Sequence, residues 1–269
     1  MNNTQITQSF IDMALEAGEL IMKIYDSGVD VSQKGDGSPV TQADQEAEKL
    51  ILAHLSRLLP DVPVVAEEEV SAGRIPPIEN TYILVDPLDG TREFINRNGE
   101  FTVNIALVEN GSPVCGVVYA PATSEMFWSD GSNSQRADVE NNALQNARTI
   151  SVRPEPETGL TVLASRSHLS EETRCLIDRL PVDELISAGS SLKFCRVAAG
   201  EADFYPRLSP TMQWDTAAGD AVLRGAGGSV VKEDHSDLDY VSPQQPKSED
   251  FKNPFFIAVS NKEILSKIV

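Results

Sequence analysis

The apolar run Tyr82-Ile83-Leu84-Val85 leads without a break into Asp86-Pro87-Leu88-Asp89-Gly90-Thr91. Strand-favouring residues ahead of a Pro and a Gly read as a buried strand. Pro87 has no N–H and a fixed φ, so the strand is expected to stop there and the chain to turn. Two carboxylates, a carbonyl between them and a hydroxyl just after then stand together at a strand's C-terminal end. Hard divalent cations take oxygen ligands of this kind. The same residues also read as a Pro-Gly turn with two solvated aspartates.

Two other acidic stations lie far away in sequence. Val64-Val65-Ala66 is a short apolar run ending in Glu67-Glu68-Glu69, which taken alone reads as a strand followed by a solvated loop. Gln213-Trp214-Asp215-Thr216-Ala217-Ala218-Gly219-Asp220 opens a helix that ends at Gly225-Ala226-Gly227-Gly228. Asp215 sits where an N-cap belongs, and capping accounts for it as well as ligation does. The closing glycines follow a helix and do not join a strand to one, so they read as a C-cap and not a dinucleotide loop. Acids at the ends of three separate elements are what a metal cage assembled by folding requires.

Charge decides which partners are plausible. The formal net charge is −19. Nucleic-acid polymers are excluded because their binding rests on Lys/Arg stripes, and the chain has none. A small anionic substrate is repelled unless cations stand between it and the protein, although the acid excess also suits solubility in a saline habitat. At 269 residues and 41% hydrophobic composition the chain can bury a large core in one or two domains. No apolar stretch approaches the ~20 residues needed to span a bilayer. Met1-Asn2-Asn3-Thr4-Gln5 lacks a basic region and runs into an amphipathic helix, so no signal peptide is expected. Cys115, Cys175 and Cys195 lack C-x-x-C spacing and read as buried thiols in a reducing cytoplasm. Three histidines without clustered thiols speak against zinc, and neither a P-loop nor an EF-hand loop is present.

Periodicity predicts helices over 8–25 and 41–59, with a loop or short hairpin over 26–39 between them. Strands are expected near 64–67, 81–85, 101–109, 113–119 and 125–128, with Asn110-Gly111 as a hairpin turn. The second half alternates: strand 161–164, helix 171–180, strand 184–188, helix 191–199, strand 203–205, then the helix at Asp215. An α/β lobe over 151–269, carrying Asp215 and substrate contacts, would then sit beside an α+β lobe over 1–150 carrying most metal ligands. The two would form one functional unit with a boundary near 148–157.

Glu67-Glu68, Asp86-Pro87-Leu88-Asp89-Gly90-Thr91 and Trp214-Asp215-Thr216-Ala217-Ala218-Gly219 together resemble the inositol monophosphatase superfamily of Mg²⁺-dependent, Li⁺-sensitive phosphatases. Within it the chain is most similar to the bacterial branch that hydrolyses the 3′-phosphate of adenosine 3′,5′-bisphosphate to AMP and phosphate, clearing a by-product of sulfate assimilation. That similarity rests on Gly90-Thr91-Arg92-Glu93-Phe94-Ile95, Asn98–Ala106, Gly189-Ser190-Ser191-Leu192-Lys193-Phe194-Cys195 and Asp203-Phe204-Tyr205-Pro206-Arg207. It runs from Ile6 to Gly228 and is weak beyond Val231. Inositol phosphatases usually carry Thr-Asn-Phe where this chain has Arg92-Glu93-Phe94.

The resemblance implies a layered α/β/α/β/α sandwich. It implies that Glu67, Asp86, Asp89, Asp215 and the Leu88 carbonyl hold two or more Mg²⁺ ions. Thr91, paired with Asp44 and assisted by Glu67, would help take a proton from the attacking water. Thr91 also reads as a helix cap, and Asp44 as the acid of a capping box with Thr41. Substrate contacts are implied for Glu67, Leu88, Asp89, Gly90, Thr91, Asp215, Ser190, Lys193, Arg166 and His168. On spacing alone Lys193 is a solvated charge and His168 a surface histidine. The expected partner is a small phosphorylated nucleotide, with no integral membrane contact and a monomeric or homodimeric state. A cytoplasmic location is implied. Some relatives sit at the cytoplasmic face of the inner membrane, but nothing basic or lipidated here supports stable attachment. An inositol or sugar phosphate monoesterase is the alternative on this scaffold. A non-catalytic metal- or nucleotide-binding protein is another, against which the intact Asp44–Thr91 pair argues.

Overall fold

A computed structural model of the chain describes every residue except 29, 30, 34–38, 165–169, 242 and 269, and of 31–33 and 39 the backbone alone. In chain order the elements are α1 (Asn3–Ser27), β1 (Val31–Gln33), β2 (Pro39–Thr41), α2 (Gln42–Leu58), β3 (Val64–Ala66), α3 (Glu67–Ser71), β4 (Thr81–Asp89), α4 (Thr91–Ile95), β5 (Thr102–Glu109), β6 (Ser112–Ala120) and β7 (Glu125–Ser129). They continue with β8 (Ser134–Glu140), β9 (Ala143–Ile150), β10 (Leu160–Ala164), α5 (Glu171–Ile177), β11 (Val182–Ser187), α6 (Leu192–Ala198), β12 (Phe204–Arg207), α7 (Gln213–Gly225), β13 (Ser229–Lys232) and β14 (Phe256–Val259). Among the described residues the strands form a seven-stranded sheet in the order β3-β4-β5-β6-β7-β8-β9, a five-stranded sheet in the order β11-β10-β12-β14-β13, and a β1-β2 pair.

Side-chain alternation explains the stacking, because successive residues of a strand face opposite sides. On the large sheet Ile83, Val85, Val103 and Ile105 pack with Phe10, Ala14, Ile21, Ala47 and Ile51 of α1 and α2. Their neighbours Leu84, Ala106 and Val108 face the other way, onto Phe194, Trp214, Ala217 and Val222 of α6 and α7. Tyr205, Val230, Phe256 and Ala258 of the small sheet close that same central core, which therefore draws on both halves of the chain. Their neighbours Phe204, Val231, Ile257 and Val259 pack outward on Ile177, Ile264 and Leu265. The result is the layered α/β/α/β/α sandwich.

A helix buried between two sheets must be narrow, which explains the small residues of α7. A Cβ on Gly116 of β6 would stand 2.9 Å from the Ala218 Cα, and one on Gly219 would stand 2.6 Å from the Phe194 ring. Its C-terminus is the expected glycine cap: Gly227 has φ +92°, and the N–H of Gly228 donates to the Leu223 carbonyl at 3.0 Å.

Some expectations need correction. The strand does not stop at Pro87 but runs to Asp89. Cys115 and Cys195 are buried, whereas Cys175 is exposed. The hairpin β8–β9 has no signature in the sequence, because neither strand alternates clearly. Its turn, Asn141-Asn142, has φ of +51° and +59°, the geometry Asn-Gly supplies at the expected turn Asn110-Gly111. No helix among the described residues is long and apolar enough to cross a membrane.

Candidate active site

Asp86 and Asp89 are an odd number of residues apart, so in a regular strand their side chains would face opposite layers. The ladder removes the problem. Asp86 pairs with Asn104 and Asp89 with Thr102, three residues of β4 against two of β5. This bulge puts both carboxylates on the face that α6 and α7 cover, and it accommodates Pro87, which has no N–H to give a partner strand.

Each of the three aspartates is anchored by one carboxylate oxygen. Asp86 Oδ1 accepts the Leu88 N–H at 3.0 Å. Asp89 Oδ2 accepts the Ser190 hydroxyl at 2.5 Å and the Ser191 N–H at 2.8 Å. Asp215 Oδ2 accepts the Met212 N–H at 2.8 Å. Asp215 is therefore not the N-cap but the third residue of α7, with Met212 in the cap position. Glu67 opens α3 directly after β3, beside β4 in the sheet.

These acids crowd one another. Burial raises the proton affinity of Asp86 well above the usual carboxylate range, and the charges of Glu67, Asp89 and Asp215 raise it further. Asp215 is raised by burial, then by Asp89 and Glu67. Asp89 is also raised by burial, although Ser190, Lys193 and the Ser191 N–H oppose it. The side chains do not close on one point: among the described residues no three His, Cys, Asp or Glu groups form a finished metal cage. The donor chemistry nonetheless fits a hard cation. Like-charged carboxylates crowded together, with Asp86 fully buried and Asp89 and Asp215 half-buried, are costly unless positive charge compensates them.

Asp44 serves two partners at once. Its Oδ2 accepts the Thr41 N–H at 2.8 Å and the Thr41 hydroxyl at 2.6 Å, closing the capping box of α2. Its Oδ1 accepts the Thr91 hydroxyl at 3.0 Å. Thr91 does not cap a helix: Gly90, in the left-handed region at φ +96°, holds the cap position of α4, and Thr91 follows it. The Leu88 carbonyl lies 3.5 Å from the same hydroxyl.

Lys193 is not the solvated charge its spacing allows. It is buried, and its Nζ donates to the carbonyls of Ser190 at 2.7 Å and Ala188 at 3.1 Å, above the Tyr205 ring. Burial pushes its ammonium down to about 8, against the pull of Asp89. An open cleft is lined by Asp89, Gly90, Ser190, Lys193, Arg207 and Asp215, among others. Arg166 and His168 lie outside the described residues.

Two residues of interest escaped the sequence reading. Arg207 reaches the cleft with a buried Nε that has no hydrogen-bond partner among the described residues. Its signal is its place in the Asp203–Arg207 block that carries the resemblance, and it closes β12. Glu48 gave a better signal, an acid on the apolar stripe Ala43, Ala47, Ile51, Leu55 and four residues beyond Asp44. Its carboxylate accepts the N–H groups of Glu68 at 2.8 Å and Glu69 at 2.9 Å, capping the helix that Glu67 opens. Burial pushes Glu48 up to about 8, with help from the Glu68 and Glu69 charges and against those two N–H bonds.

Comparison with known proteins gives a consistent picture. A 3′(2′),5′-bisphosphate nucleotidase CysQ of Salmonella typhimurium is 44% identical over 246 residues, covering 91% of this chain and 95% of the relative. Its counterpart in Haemophilus influenzae is 30% identical, covering 97% and 94%. The crystal structure of CysQ from Bacteroides thetaiotaomicron superposes with a TM-score of 0.77 at 38% identity, covering 96% of this chain and 98% of that one. The family model for inositol monophosphatases matches residues 2–262. The chain belongs to the inositol monophosphatase family.

Proposed function

We propose that the chain is a Mg²⁺-dependent 3′(2′),5′-bisphosphate nucleotidase that hydrolyses the 3′-phosphate of adenosine 3′,5′-bisphosphate to AMP and phosphate. The observation that carries this reading is the Thr91 hydroxyl held by Asp44 at 3.0 Å beside the carboxylate cluster. A binding protein needs the cluster but has no use for a hydroxyl aimed by an acid.

Glu67, Asp86, Asp89, Asp215 and the Leu88 carbonyl are the groups that would hold the cations. Magnesium bound there would neutralise charge on the phosphoryl group and make a water more acidic. The chain's own residues then move the proton. Thr91 Oγ1 accepts from the attacking water while its own proton passes to Asp44 Oδ1, whose other oxygen is fixed by Thr41. Lys193 and Arg207, which both line the cleft, suit the phosphate that is not cleaved. Ser190 adds a hydroxyl beside Asp89. The names of the curated relatives, 3′(2′),5′-bisphosphate nucleotidases, support a bisphosphate nucleotide as the substrate.

Phosphate release from adenosine 3′,5′-bisphosphate, inositol 1-phosphate and fructose 1,6-bisphosphate, with and without Mg²⁺, tests the proposal. The bisphosphate nucleotide should turn over fastest and chelation should stop it. Fastest turnover of inositol 1-phosphate would overturn the substrate assignment. Thr91→Val should lower kcat about 100-fold or more with an unchanged melting temperature.

A further inference from the structure

On the sheet face that carries Asp86 and Asp89, β5 contributes Thr102 and Asn104, both buried. The turn before α6 contributes Ser190 and Ser191. Thr102 Oγ1 lies 2.6 Å from Ser190 Oγ, 2.8 Å from Ser191 Oγ and 3.3 Å from Asn104 Oδ1. Ser191 Oγ donates to Asn104 Oδ1 at 2.7 Å, and Ser190 Oγ donates to Asp89 Oδ2 at 2.5 Å.

The direction of these bonds can be worked out. An ionised carboxylate only accepts, so the single Ser190 proton is committed to Asp89. The 2.6 Å contact between Ser190 and Thr102 is then a hydrogen bond only if Thr102 donates. Donation then runs from Thr102 through Ser190 to Asp89 and spends the single Thr102 proton, so the 2.8 Å contact with Ser191 is a hydrogen bond only when Ser191 turns its own proton from Asn104 to Thr102. Asp89 Oδ2 also receives the Ser191 N–H, which leaves Oδ1 with no hydrogen bond among the described residues.

The turn does not hold this shape by backbone preference. Ser190 has φ +52°, unfavourable for a residue with a Cβ, and a Cβ on Gly189 would stand 2.6 Å from the Glu100 Cβ. Its shape rests on side-chain bonds: Thr102 on the Ser190 hydroxyl, and Lys193 on the Ser190 carbonyl at 2.7 Å.

We propose that Thr102 is a positioning residue, whose hydroxyl fixes Ser190 and through it sets Asp89 and Lys193 against each other. The proposal rests on the functional reading above. It predicts that one buried hydroxyl, remote from solvent, tunes cation affinity and substrate affinity together. Groups that orient a metal-binding carboxylate typically change affinity about 10- to 100-fold when removed.

The test uses the full chain and the variants Thr102→Val, which keeps the shape, and Thr102→Ser, which keeps the hydroxyl. Mg²⁺ binding is followed by isothermal titration calorimetry without nucleotide, and kcat and KM are measured on the bisphosphate at saturating Mg²⁺. Thr102→Val should weaken Mg²⁺ binding about tenfold and raise KM more than it lowers kcat, while Thr102→Ser stays within about twofold of the parent. Unchanged Mg²⁺ affinity in Thr102→Val would overturn the proposal. So would a serine variant as impaired as the valine one, since packing would then be the cause. If the valine variant does not fold, Thr102→Ala against Thr102→Ser makes the same comparison. A parent that binds Mg²⁺ but leaves the bisphosphate intact would overturn the functional reading, and the calorimetry would still decide the role of Thr102.

Discussion

Glu48→Gln should change how stability depends on pH, with a sign that the structure fixes. Two effects oppose each other at Glu48. Two backbone N–H groups of α3 favour the carboxylate, while burial and the nearby Glu68 and Glu69 charges favour the acid. Burial wins, and the folded group titrates at about 8 against 4.5 for the free side chain. A folded value above the unfolded one means that the stabilisation is complete below 4.5 and lost as pH rises through about 8. Between those values the unfolded carboxyl is ionised and the folded one is not, so each pH unit removes about 1.4 kcal/mol. From about pH 5 to about pH 8 the loss has a ceiling of about 4 kcal/mol. Glutamine keeps the volume and one acceptor, forfeits one hydrogen bond worth about 1 kcal/mol, and does not titrate. The variant should therefore be about 1 kcal/mol less stable than the parent near pH 5 and up to about 3 kcal/mol more stable near pH 8, so the curves cross. Urea unfolding of metal-free protein across this range reads the difference directly. Parallel curves would show that the N–H bonds, and not burial, govern Glu48.

Lys193→Met removes the buried ammonium and keeps its stem, so KM for the bisphosphate should rise about 10- to 100-fold with kcat little changed, as steady-state kinetics would show. Gly116→Ala drives a methyl to 2.9 Å from the Ala218 Cα between β6 and α7. It should cost about 1–3 kcal/mol in urea unfolding and weaken Mg²⁺ binding, because the helix that moves carries Asp215.

The fold was legible where one residue pattern has one physical meaning. The stripe of α1, the Asn110-Gly111 turn and the apolar strands each allow a single reading. The β8–β9 hairpin was not legible, because Asn141-Asn142 carries no glycine and its strands lie half in solvent. In the site, Asp44 illustrates the limit. Spacing reads it as a cap and the resemblance pairs it with Thr91, and a carboxylate has two oxygens, so it bonds Thr41 with one and Thr91 with the other. Asp215 shows another limit, since an acid at the cap accepts from the second or third helical N–H whereas one at the third position accepts from the cap's own N–H, and the sequence around the helix start fits both. Which remote acids meet depends on tertiary register. No local pattern encodes that β3 lies parallel to β4, or that α7 packs against β4.

The surplus residue between Asn104's and Thr102's partners changes what kinds of sequence drift the site can survive. Pro87 and Leu88 have no assigned partner on β5, so a new side chain at either leaves the ladder as it is. Gaining one residue there would swing Asp89 and everything downstream to the opposite layer, toward α1 and α2. Losing one would restore a flat ladder and tie the Leu88 carbonyl into it. Between Asp86 and Asp89, then, pairing fixes chain length as strictly as the cation site fixes the two carboxylates and burial fixes Leu88, so a single inserted or deleted residue should be as damaging as the loss of a ligand.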